Sequence, residues 1–87
     1  MTDAPDGDID AYQKYVALRI AKGGAETAYP SAQAAVKRWP DDPVGEELLG
    51  WAASLTNRRD EASAALQKSL KQEPTRDSAR EKLKKLQ

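Results

Sequence analysis

Residues 49–74, LGWAASLTNRRDEASAALQKSLKQEP, decide the fold. Leu48, Leu49, Ala52 and Leu55 recur at helical spacing and carry one helix to Thr56. Asn57 then stands where a helix must end, since Asn, after Gly, best tolerates the left-handed conformation that closes one. A second helix follows from about Asp60 to Gln72, with Ala62, Leu66, Ser69 and Leu70 on one face. Asp60 and Glu61 suit its positive end and Lys68 and Lys71 its negative end, and Pro74 stops it. Gly50 and Ala62 are expected to face each other, so that the two backbones approach closely.

The same grammar extends outward. Asp42 caps the Leu48–Leu55 helix and Pro43 takes its first position, where the missing N–H costs nothing. Before it, Ala28, Ala32, Ala35, Val36 and Trp39 fall at i, i+4, i+7, i+8 and i+11, one helical face ended by Pro40. Pro30 objects to that helix, and the expected solution is a start near Ala25 with a local distortion. Trp39 reads as core or inter-repeat packing. A first helix is expected from Ile9 to Lys22, capped by Asp8, carrying Tyr12, Tyr15, Val16 and Leu18, and closed by Gly23-Gly24. Residues 1–7 read as a flexible acidic tail, and Asp77 to Gln87 as a short closing helix with Ala79, Leu83 and Leu86 inward. The chain is therefore expected to be all-α, about five helices in an antiparallel array.

A thirty-four-residue offset links Gly23 to Asn57, Ala28 to Ala62, Ala35 to Ser69, Val36 to Leu70 and Pro40 to Pro74. Only four of the thirty-four paired residues between 9–42 and 43–76 are identical. What repeats is the role: left-handed turn, small contact residue, apolar seam, helix stop.

On these residues the chain resembles the tetratricopeptide repeats. Leu49-Gly50, Asn57, Ala62 and Pro74 match that family's leucine–glycine pair, turn residue, small second-helix residue and closing proline. Trp39-Pro40-Asp41-Asp42-Pro43 resembles the junction common in its bacterial members. The first repeat departs more: Tyr12, Gly23, Ala28, Ala35 and Pro40 fit, but Val16 replaces a glycine and Arg19 an aromatic. The resemblance implies a degenerate repeat at 8–42, a second at 43–76 and a closing helix at 77–87, stacked as a short right-handed solenoid. It also implies a concave groove built from the first helix of each repeat. Glu47, Trp51 and Leu55 share one face of the third helix and are expected to line that groove. Gln13 and Ala17 of the first helix, and Glu81 and Lys85 of the last, are expected beside them. The family's lysine–asparagine clamp for C-terminal carboxylates has no counterpart, because Gln13, Ala17, Glu47 and Trp51 occupy those places.

Composition narrows the chemistry. Eighty-seven residues hold fourteen Lys plus Arg against fourteen Asp plus Glu, with no His, Cys or Phe. That removes the usual nitrogen–sulfur zinc site, the His-activated nucleophile and the disulfide. Zero net charge argues against nucleic acid as a partner. No run reaches the ~18 apolar residues of a membrane span, and the first ten residues, with four Asp, are the opposite of a signal peptide. No membrane association and a cytoplasmic location are the expectation. The acidic group Asp41, Asp42, Glu46 and Glu47 reads as helix-start charge rather than as a metal site. Residues 68–87 carry seven basic and three acidic side chains, read chiefly as a solvated helix face. The expected function is non-catalytic, without cofactor or metal: a module that binds a protein or peptide in the groove around Trp51. The alternative is self-assembly, as a homodimer or by docking on a further part of a longer chain, because such arrays usually need about three repeats for stability.

Overall fold

The computed structural model describes residues 9–86, and these form five α-helices with no strand. They are α1 (Ile9–Ala21), α2 (Ala25–Arg38), α3 (Pro43–Ser54), α4 (Arg59–Gln72) and α5 (Asp77–Lys84). The acidic tail at 1–7, the Asp8 cap and the terminal Gln87 lie outside the described residues.

The helix ends follow from local chemistry. Asp42 accepts the Val44 N–H at 2.9 Å with Pro43 in the first turn. Gly23 (φ 81°) and Asn57 (φ 65°) both adopt the left-handed conformation. Beyond each, the next N–H reaches back over the turn: Gly24 to the Arg19 carbonyl at 2.7 Å, Arg58 to that of Ala53 at 2.9 Å. This is the six-to-one bond of a Schellman closure, made twice at an offset of thirty-four residues. The offset continues at the next joint. Trp39 bonds to Ala35 as Glu73 does to Ser69, both at 2.9 Å, and Asp42 to Trp39 as Arg76 does to Glu73, both at 3.1 Å. Asn57→Val is therefore expected to cost about 1–2 kcal/mol, the steric penalty of a side chain branched at Cβ in that conformation. Asn57→Gly should melt within a few degrees of wild type, and a thermal melt of the two variants checks both.

Two boundaries differ from the sequence reading. Leu55 and Thr56 belong to a turn rather than to α3, because the Thr56 hydroxyl bonds the Ala52 carbonyl at 2.9 Å and its N–H turns to Ala53 at 3.1 Å. Lys85 and Leu86 likewise form a turn after α5, the Leu86 N–H bonding the Leu83 carbonyl at 3.0 Å. α2 starts at Ala25 and runs unbroken through Pro30. Pro30 and Glu26, whose carbonyl loses its partner there, both lie at exposed positions, where a missing helix bond costs less than in the core.

Packing is by close approach rather than by bulk. Ala28, Ala32, Ala52, Ala53, Ala62 and Ala79 are fully buried, and the largest fully buried side chains are Leu66, Val16 and Ser69. Val16, Ala28, Ala32, Leu48 and Ala52 form one cluster. Trp39 packs edge-on against Tyr12, ring centroids 5.2 Å apart, tying the end of α2 to α1. α3 is central and contacts all four other helices, whereas no Cα of α2 comes within 8 Å of one in α4. Those two helices are joined by long side chains: Tyr29 donates to Glu61 at 2.5 Å, and the Arg58 guanidinium lies 4.0 Å over the Tyr29 ring. The bond to Glu61 holds the Tyr29 hydroxyl above its ordinary pKa.

Candidate functional site

Trp51 sits on the side of α3 that turns toward α5. Half-buried, it packs against the Val16–Ala52 cluster and also lines a cavity of about 470 Å³ between α3 and α5. Leu55, Glu81, Lys82, Lys85 and Leu86 line the same cavity. Leu55 is 53% exposed, an apolar side chain left facing water at the groove's margin. Four of the expected groove residues, Trp51, Leu55, Glu81 and Lys85, are thus brought together.

The other three are placed elsewhere. Gln13 is exposed and Ala17 half-buried on α1, and neither lines this cavity. The reason is topological, since α1 contacts α3 but has no Cα within 8 Å of α5. Glu47 is buried rather than open to a ligand, and its carboxylate is already occupied. Oε1 accepts from Arg76 Nε at 2.5 Å and Ser78 Oγ at 2.9 Å, and Oε2 accepts from Lys82 Nζ at 2.7 Å. Burial alone would raise the Glu47 pKa, but the hydrogen bonds from Lys82, Ser78 and Arg76 outweigh it and hold the carboxyl below its usual range. Lys82 also lies 5.1 Å over the Trp51 ring, a cation–π contact that fixes the indole from above.

Arg76, Ser78 and Lys82 are the residues that the sequence reading did not single out. Their signal was indirect: three polar side chains in one short stretch opposite a helix carrying adjacent glutamates. The basic excess of residues 68–87 is in good part spent internally. Arg76 and Lys82 serve Glu47, Lys68 pairs with Glu46 at 3.2 Å, and Arg80 with Asp77 at 2.8 Å. The acidic group at 41–47 is likewise dispersed, with Asp42 capping α3 and Glu46 and Glu47 in separate ion pairs. Among the described residues no three acidic side chains are placed to hold a metal ion. The buried carboxylate behind the groove, Glu47, is held ionised and saturated by donors, so it is not a free acid or base.

A second cavity, of about 540 Å³, is lined by Pro30, Ala34, Val36, Lys37 and Leu49 and carries no aromatic ring. Among the described residues no helix is long and apolar enough to cross a membrane. No protein-family model and no curated protein matches the chain.

Proposed function

We propose that the protein is a non-catalytic interaction module, a short right-handed solenoid of tetratricopeptide-like hairpins whose groove around Trp51 holds a peptide or protein surface. The observation that carries this reading is the indole's position. It packs against the core cluster and lines the cavity beside the exposed Leu55. Tryptophan anchored in this way is the residue type most enriched at binding hot spots. The Glu47 network stiffens the floor, so little order has to be imposed when a partner arrives. The solenoid part of the reading is supported by the helix closures that recur thirty-four residues apart and by the central place of α3.

The test is selection from a random peptide library on the immobilised protein, followed by titration of the selected peptides against variants. Trp51→Ala is expected to weaken binding about thirtyfold, the effect of losing a hot spot of about 2 kcal/mol. Leu55→Ala, at an exposed turn position where folding is not at stake, should weaken it about threefold to tenfold, the range for partial loss of one apolar contact. Unchanged affinity in both variants would sink the groove reading.

A further inference from the structure

Two charges at the rim of the groove are not spent internally. Glu81 and Lys85 stand four residues apart, one turn of backbone, and both line the cavity. Both are exposed, and neither side chain makes an ion pair among the described residues. Of their charged neighbours, Arg76, Asp77, Arg80 and Lys82 are paired, and Lys84, which is in no ion pair among the described residues, does not line the cavity. The rim therefore offers one unmatched anion and one unmatched cation, above a floor of Trp51, Leu55 and Leu86.

An opposite-charge pair at one-turn spacing is complementary to itself when reversed. In a two-fold interface each residue i meets j of the other copy while j meets i. Two α5 segments laid antiparallel across such an axis, level with residue 83, bring each Glu81 to the other copy's Lys85. The same operation lays apolar floor over apolar floor and covers Leu55, which a single copy leaves 53% exposed. A ligand of one charge sign would satisfy only half of this rim.

We infer that the occupant of this groove is a second copy of the chain, docked about a two-fold axis with Glu81 of each copy against Lys85 of the other. This rests on the reading of the Trp51 groove as a contact surface and names its partner. One groove between two short helices makes a small interface, of the class below about 1,200 Å² whose complexes are transient. The dimer is accordingly weak and concentration-dependent.

Sedimentation equilibrium of the full chain tests it. Wild type is expected to rise from 9.5 kDa toward twice that mass as concentration approaches about 1 mM. Glu81→Lys and Lys85→Glu should each weaken association about tenfold or more, because both cross-axis contacts then join like charges. An equimolar mixture of the two variants should associate again, since every contact between unlike copies is of opposite sign. A control mixture of Ala64→Lys with Ala64→Glu, charged away from the groove, should show no such recovery. Added salt should weaken the wild-type dimer. Wild type that stays monomeric throughout, a mixture no more associated than its components, or association untouched by Leu55→Glu would each overturn the inference. If wild type is monomeric while Trp51→Ala still loses its selected peptides, the groove reading stands and only the second copy is excluded. If Trp51→Ala and Leu55→Ala both leave peptide affinity unchanged, the groove reading itself falls, and the inference falls with it.

Discussion

Gly50→Val is expected to lower the melting temperature by roughly 12–24 °C, about 3 kcal/mol at 4–8 °C per kcal/mol for a domain of this size. A Cβ at Gly50 would lie 2.5 Å from Leu66 Cγ and 2.8 Å from its Cδ2, closer than real contacts allow, and 3.2 Å from the Ala62 carbonyl oxygen. Leu66 is fully buried, and its branch point is held close to the α4 backbone, so it has nowhere to turn. Relief requires α3 and α4 to separate, which opens the Leu66 and Ala62 seam along its length. Gly50→Ala should be milder, because about 1 kcal/mol of improved helix propensity offsets part of the collision. Ala62→Leu attacks the same seam from the opposite side, at about 1–3 kcal/mol. Ala64→Leu, at an exposed position of α4, is the control. A Gly50→Val melt indistinguishable from that of Ala64→Leu would show that the two helices do not approach this closely.

Glu47→Ala is expected to cost about 3 kcal/mol and to release α5 first. Truncation leaves Arg76 and Lys82, with side chains only 16% and 26% exposed, facing each other without their shared anion. An uncompensated charge costs about 3–5 kcal/mol when fully buried; the partial exposure here, and the Glu73 carboxylate that Arg76 keeps at 3.2 Å, argue for the lower end. Glu47→Gln keeps the acceptor oxygen but not the charge and should fall between wild type and Ala. The same network sets an acid limit. The folded carboxyl titrates below its unfolded value, so in that window the unfolded chain binds more protons and stability rises with pH. The contribution is whole above the ordinary carboxylate range near about pH 4 and fades as pH falls through the depressed folded value. Chemical denaturation of wild type and Glu47→Gln at pH 7 and pH 3 checks this. The gap between them should narrow in acid, and a constant gap would contradict the assignment.

What the sequence made legible was whatever depends on neighbours along the chain. Asp42 and Pro43 announce a helix start, Gly23 and Asn57 announce left-handed closures, and the alanine stripe of α2 announces its buried face. Each of these needs only a few adjacent residues to be decided. Close approach at Gly50 was readable too, because a glycine beside leucine and opposite alanine has few other uses inside a helix. Glu47 was not readable. Its position on the face of Trp51 is a helical fact, but its burial depends on where α5 lies, which no local pattern states. The same holds for Tyr29 and Glu61, thirty-two residues apart, whose meeting depends on how two hairpins lean together. Gln13 and Ala17 were grouped with Trp51 by analogy of position, and the spacing of α1 from α5 separates them from its cavity.

The joint between α2 and α4 has a mechanical consequence. Where α1 meets α2, α2 meets α3 and α3 meets α4, helices touch backbone to backbone, and squeezing them further meets overlapping atoms. On the side of α2 and α4, the link is a phenol, a carboxylate and a guanidinium, reaching across a gap that no Cα pair closes to within 8 Å. Stretching such a link costs a hydrogen bond and a stacked cation, while compressing the tightly seated pairs costs packed volume. The protein is therefore stiff where α2 is seated on α3 and compliant at its α2–α4 edge, like a hinged cover held shut by a clasp.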